Sequence, residues 1–247
     1  MRPERYLVVD TNVILVEVFE GTNFDRVQRM KEGCRRAGIE LAVLKTATDE
    51  ARRRFRELSE DTFGVVRAAL DYLREQKGVA SGPEADADLA PGDYKILREF
   101  FRRVKKSTSS ETRKVMNNKV EAFFEGALSD SRKFAIKTIG SFALIVMQEL
   151  KRTMESYDIK LTSLLASAWE VEVSPGTRTK GIALDCVSGN DKEIVLEAAE
   201  LLSKHSVILA TLDSGIQDCA KKIRDLLSLR VTDPLYALDD FKELLIR

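Results

Sequence analysis

Apolar residues in this chain follow two rhythms. Short runs of β-type residues stand near both ends, and a long stretch of helical spacing lies between them. Tyr6-Leu7-Val8-Val9 is an unbroken apolar run that stops at Asp10-Thr11-Asn12. A run apolar on both faces is the pattern of a strand buried within a parallel sheet. Residues 13–19 switch to helical spacing, and a second helix is predicted over residues 24–37. Ile39-Glu40-Leu41-Ala42-Val43-Leu44 returns to strand character. The chain therefore opens strand, helix, strand, the start of a βαβ unit.

A helix is predicted from about Thr48 toward Lys77, followed by GVASGPEADADLAPGD over residues 78–93. That stretch has no periodicity and reads as a flexible loop. Residues 94–169 read as helical almost throughout. Leu97, Phe100, Phe101 and Val104 mark one apolar face; Phe134, Ile136, Ile139, Phe142, Ala143 and Val146 mark another. Alternation of strand and helix then resumes. Gly181-Ile182-Ala183-Leu184 reads as a strand or an irregular approach, residues 191–202 as a helix, and Val207-Ile208-Leu209-Ala210 as a strand ending at Thr211-Leu212-Asp213. A helix over 216–227, a strand over 229–231 and a closing helix over 235–245 complete the pattern. The expected fold is α/β: a mainly parallel sheet with helices on both faces, from residues 1–55 and 175–247, and an all-helical insertion over 56–174.

Composition narrows the classes. The 247 residues carry 40 Lys+Arg against 40 Asp+Glu, so net charge is zero and bulk basicity cannot hold nucleic acid. A hydrophobic content of 44% supports a real core. The N-terminus lacks the apolar segment and cleavage site of a signal peptide. The longest apolar run, residues 142–147, is far short of the ~20 residues of a membrane helix. A soluble, cytoplasmic protein is expected. Cys34, Cys186 and Cys219 lie far apart with no paired spacing, so no disulfide framework is expected. Low Asn and Gln (five and four residues) suits a heat-adapted protein. The one histidine, His205, stands in a turn before a strand and reads as solvent-exposed; one His leaves almost no ligand supply for structural zinc.

The candidate chemistry is acidic. Asp10 and Asp213 each follow an apolar strand, and the carboxyl ends of parallel strands form the ligand crevice of such sheets. Glu50 stands near the head of the helix after the second strand, and Asp191 opens the helix leading to the Asp213 strand. Four carboxylates at one crevice repel one another unless cations neutralise them. Oxygen ligands of this kind suit Mg²⁺ or Mn²⁺, which activate water and polarise phosphodiesters. Each acid also has a plainer reading. Asp10, Asn12 and Asp213 are good helix caps, Asp191 suits a helix N-terminus, and Glu50 is spaced to pair with Arg54. Those readings do not explain why all four stand at one sheet edge.

In combination these motifs resemble the PIN-domain nucleases. Asp10-Thr11-Asn12 after an apolar strand resembles the family's opening, and Glu50 its second acidic position. Ser188-Gly189-Asn190-Asp191, with Ile194 and Ala198-Ala199, resembles the third. Thr211-Leu212-Asp213, 22 residues beyond Asp191, resembles the fourth. The resemblance covers about half the chain. It implies a metal-dependent nuclease cutting single-stranded RNA, with Asp10, Glu50, Asp191 and Asp213 as catalytic metal ligands and Asn12 and Thr211 in support. Asp49 beside Glu50, and Asp185 six residues before Asp191, are alternative acids. The long helical insertion departs from the family.

Residues 98–119 hold eight basic residues against two acidic. Arg102, Arg103, Lys105 and Lys106 within them, and Arg52 and Arg53 beside Glu50, are candidate nucleic-acid contacts; a solvated helix face is the alternative. Phe100 and Phe101 read as core rather than base-stacking platforms. A catalytically silent module that binds RNA or scaffolds a complex, through a protein partner or a second copy, is the competing reading. A phosphatase using an aspartyl nucleophile is disfavoured, because no second Asp stands two residues after Asp10.

Overall fold

The structure, a computed structural model, describes residues 4–79, 87–90, 92–108, 110–131 and 137–245. Phe134, Ile136 and half of the loop expected over 78–93 fall outside the described residues. Four strands, β1 (Arg5–Val9), β2 (Glu40–Val43), β3 (Ser206–Ala210) and β4 (Arg230–Thr232), form one parallel sheet in the order β2-β1-β3-β4. The chain divides into two compact units. One comprises Met1–Arg54 and Lys160–Arg247, the other Phe55–Ile159.

The sheet unit is α/β for the reason its strands are apolar. Leu7, Val8, Ile208 and Leu209 are all fully buried, and each such side chain contributes roughly 1.5–3 kcal/mol. Helices α1 (Thr11–Phe19) and α2 (Phe24–Ala37) pack together and carry the chain from β1 to β2. Helix α2 stops at Gly38, whose φ of 63° accepts the left-handed cap that side chains resist. Helix α3 (Lys45–Gln76) begins in this unit. On the return, α7 (Pro175–Ile182) packs against α8 (Gly189–Leu201), which lies on β3. Helices α9 (Ser214–Asp218) and α10 (Ala220–Leu227) connect β3 to β4. The closing helix α11 (Ala237–Leu245) rests on α2 and β3. A side chain at Gly33 would collide with Leu238, which would have to shift to keep the α2–α11 contact.

The second unit holds the rest of α3 with α4 (Asp93–Ser107), α5 (Glu111–Ser131) and most of α6 (Ile139–Leu165). Helices α4 and α5 pack on each other. Phe101 and Phe124 stack edge to face at 5.4 Å between centroids, and Phe124 meets Phe142 at 5.6 Å. Ile139, Phe142, Val146, Leu150 and Met154 form a buried seam along α6 at spacings of three and four residues. The reading of Phe101 as core holds. No helix among the described residues is long and apolar enough to cross a membrane.

Several expectations are corrected. Residues 181–184 are not a strand: residues 181 and 182 end helix α7, which Ser174 caps by accepting from the Thr177 N–H, with Pro175 in the first turn. The helix expected over 216–227 breaks at Cys219 into α9 and α10. Cys186 and Cys219, expected to be unpaired, form a disulfide with Cα atoms 5.9 Å apart. Cys34 is a free, buried thiol, and burial pushes its pKa up to about 11. His205 is half-buried rather than a solvated turn residue. Its ring meets Tyr6 edge to face at 5.0 Å, and its Nδ1 lies 3.7 Å from Glu4. The chain rejoins the sheet unit at residue 160, not 175. Trp169 explains part of this: its N–H donates to the Val43 carbonyl at 2.8 Å, and its own carbonyl accepts from the Lys45 N–H at 2.9 Å.

Candidate functional site

Sheet register determines where the acids emerge. Val9 is paired with both Val43 and Ala210, so β1, β2 and β3 end level. Asp10 and Thr211 therefore leave the sheet side by side, and the Asp10 N–H donates to the Ala210 carbonyl at 3.0 Å. Asp10 is the N-cap of α1. One oxygen accepts from the Thr11 N–H at 2.6 Å, and the other accepts from the Thr211 hydroxyl at 2.8 Å. Its side chain is almost wholly enclosed, with the residue only 1% exposed. Burial pushes its pKa up to about 6. The Thr211 and Thr11 hydrogen bonds oppose that rise, and the charges of Asp191 and Glu50 add to it.

Glu50 lies on α3, 4% exposed. Its Oε2 accepts from the Thr11 hydroxyl at 3.0 Å. Its Oε1 accepts from Arg54 Nε at 2.7 Å, with Nη2 of the same guanidinium at 2.6 Å. Asp191 stands in the first turn of α8, half-buried. Partial burial raises its pKa, and the charges of Asp213 and Glu50 raise it further, while Arg54 lowers it. Asp213 caps α9, accepting from the Gly215 and Ile216 N–H groups at 2.8 and 3.2 Å. Its other oxygen accepts from the Asn12 amide at 3.4 Å. The Thr211 hydroxyl also accepts from the Asp213 N–H at 2.9 Å, so one threonine ties Asp10 to Asp213.

The structure thus links all four acids by hydrogen bonds or mutual charge, with Asn12 and Thr211 between them. It also separates the alternatives. Asp49 is exposed and bonds to Lys45 at 3.2 Å, whereas its neighbour Glu50 faces Asp10's helix. Asp185 is exposed and held by Lys222 at 2.6 Å, which lowers its pKa. The capping roles are real as well: Asp10 and Asp213 each cap a helix, and Glu50 pairs with Arg54. The cap of α1 is Asp10 rather than Asn12, whose amide instead bonds Asp213.

The basic candidates divide. Arg52 and Arg53 are exposed on α3, and Arg53 stands 3.9 Å from Glu50. In the second unit, Arg103 is tied to Glu99 and lies over the Tyr72 ring, and Lys105 is tied to Glu121. Arg102 and Lys106 are exposed. Half of that cluster's charge is therefore answered within its own unit.

Two buried polar residues carry no assigned role in the sequence reading. Thr11, inside the Asp-Thr-Asn motif, bridges Asp10's helix to Glu50. Glu197 is an acid within the apolar run of α8, and that interruption is its readable signal. It accepts from the Thr46 hydroxyl at 2.6 Å and is pushed up in pKa mainly by burial.

As a set, the donors are carboxylate oxygens of like charge, two of them buried. That chemistry fits a hard divalent cation. In their present rotamers, no three His, Cys, Asp or Glu side chains among the described residues converge closely enough to grip one ion. Compared with protein-family models, with curated proteins and with solved structures, the chain has no match.

Proposed function

We propose that this chain is a divalent-cation-dependent nuclease, similar to PIN-domain nucleases, that hydrolyses phosphodiester bonds in single-stranded RNA. One observation carries the reading. Four carboxylates, following β1 and β3 and standing on α3 and α8, are delivered to one edge of a parallel sheet; Asp10 and Glu50 are buried there, and burial raises the pKa of Asp10. Asp10, Asp191 and Asp213 would ligate the ion, with Glu50 as ligand or general base. Mg²⁺ or Mn²⁺ bound by them would supply Lewis acidity to a phosphodiester oxygen and would orient and polarise an attacking water. Thr211 fixes the Asp10 and Asp213 ends relative to each other, Thr11 holds Glu50, and Asn12 steadies Asp213. Arg52 and Arg53 offer exposed charge for phosphates beside the acids. No covalent intermediate is needed.

The test is cleavage of a labelled single-stranded RNA with Mn²⁺, Mg²⁺ or EDTA, for the native chain and Asp10→Asn. Metal-dependent cleavage lost in the variant supports the reading. Equal cleavage by both proteins refutes it. A second reading, a silent module that binds RNA without cutting it, draws on the Glu50–Arg54 pair, which already neutralises one acid. Calorimetry with Mn²⁺ separates the two, because a silent module need not bind the ion.

A further inference from the structure

Arg54 stands in an unusual place for a surface arginine. Its guanidinium sets both Nε and Nη2 on a single oxygen of Glu50, a carboxylate that is otherwise sealed from water. The arginine itself is open, with its side chain 42% exposed. Its charge also reaches Asp191, whose pKa it lowers. Glu50's remaining oxygen is taken by Thr11. Glu50 as it stands therefore has no oxygen uncommitted, which helps explain why the acids do not converge. A buried carboxylate needs a counter-charge, and here an internal cation supplies it.

We propose that Arg54 is a two-position residue: it neutralises Glu50 while the acids hold no ion, and it moves to a phosphate of the substrate when a divalent cation takes its place. This rests on the metal-dependent reading above. The geometry favours it over a fixed structural pair in two ways. The arginine is half in solvent on a long, mobile side chain, so release costs little packing. It is also planar and multidentate, the form that suits phosphate oxygens once the carboxylate is otherwise engaged. Arg53, also exposed and 3.9 Å from the same Glu50 oxygen, adds positive charge there that attracts a polyanion. The ligand class is a phosphodiester, and the pair acts as a guard that keeps the acids neutralised until a cation arrives.

The experiment compares the native chain with Arg54→Ala, Arg54→Gln and Arg53→Ala. Mn²⁺ affinity is read by calorimetry, and kcat and KM on single-stranded RNA are read separately. Removing a competing ion pair to a buried carboxylate predicts Mn²⁺ binding tighter by roughly three- to tenfold in Arg54→Ala. It also predicts a KM for RNA raised by about tenfold. Arg53→Ala removes equal charge but only a 3.9 Å approach to Glu50, leaving both close Arg54 contacts in place, so its Mn²⁺ affinity changes less. Arg54→Gln keeps a donor on Glu50 without the charge; it tests the same point should the alanine variant fold poorly. Mn²⁺ binding unchanged or weakened in both Arg54 variants, with the native chain binding well, overturns the guard and leaves the nuclease reading standing. An equal gain in Arg53→Ala and Arg54→Ala also overturns the guard, because bulk charge then accounts for it. Absence of Mn²⁺ binding in every protein overturns both. A native chain that binds weakly beside an Arg54→Ala variant that binds well supports the guard.

Discussion

Asp10→Asn should make the metal-free protein more stable at neutral pH, and less stable in acid. In the folded chain the carboxyl has a pKa of about 6 against an ordinary value of 3.8. A raised folded pKa means that the fold prefers the protonated carboxyl. The associated stability is fully present below pH 3.8 and is lost as pH rises through about 6. Roughly two units correspond to about 3 kcal/mol of strain carried by the ionised form at pH 7 and above. Asparagine removes that charge but not without cost. It still accepts from the Thr11 N–H, but its amide nitrogen faces the Thr211 hydroxyl, which loses its acceptor. A lost hydrogen bond costs about 1 kcal/mol. The variant should therefore gain roughly 2 kcal/mol at pH 7.5 and lose about 1 kcal/mol below pH 4.

The assay is urea unfolding in EDTA at pH 4, 5, 6 and 7.5, with both proteins side by side. Taking the difference between them cancels the titration of groups they share. For a chain of this size, 2 kcal/mol is a shift of roughly 4–8 °C in a parallel thermal melt. A difference that stays constant from pH 4 to 7.5 would refute the argument that the site holds Asp10 against its ionisation. Added Mn²⁺ should then reverse the order at pH 7.5, because only the native carboxylate offers the ion its full charge.

Other expectations can be checked with the same equipment. The Cys186–Cys219 bridge closes a separation of 33 residues. Chain entropy gives such a loop roughly 3–4 kcal/mol of stabilisation, so dithiothreitol or Cys219→Ser should lower the melting temperature; no change under reduction would show the bridge unformed in solution. Phe124→Ala deletes the centre of the Phe101–Phe124–Phe142 ladder. It should cost about 3–5 kcal/mol, and hydrogen exchange should report faster opening in residues 55–159; equal acceleration throughout the chain would refute an independent second core.

The acids themselves are legible in the sequence because their positions are set by period and punctuation. A buried parallel strand is an apolar run, and the residue just past its end must turn out at the crevice edge. Asp10, directly after β1, can be placed on that ground, and Asp213, three residues after β3, by the turn that follows the strand. Helix α2 is legible over its full length because its polar face and its Gly38 stop agree. Helix α7 misleads for the opposite reason. Gly181-Ile182-Ala183-Leu184 is apolar enough for a strand, and the Ser174-Pro175 start that settles the matter lies six residues earlier. Gly181 sits where a side chain would strike Leu196, so a glycine needed for helix packing imitates a strand's breaking point. The Cys186–Cys219 pair has no local signature at all. It depends on where the β3 crossover sets the start of α8 relative to the α9–α10 break.

What the sequence could not supply is the ownership of the carboxylate oxygens. Asp10, Glu50 and Asp213 each have a helix-cap or ion-pair explanation, and the structure shows those bonds are made. Under the proposed function they are not alternatives to a metal site but the bonds that would position its ligands. Thr211 illustrates the point. Its hydroxyl donates to Asp10 and accepts from the Asp213 N–H, and its own carbonyl accepts from the Gln217 amide at 2.7 Å. A cap that only stabilised α1 would not need to be buried beside Glu50 and within reach of Asp191's charge, because an exposed Asp caps equally well without the desolvation cost. The cost of burying Asp10, rather than the presence of any one acid, is the observation that favours the proposed site over a set of good helix starts.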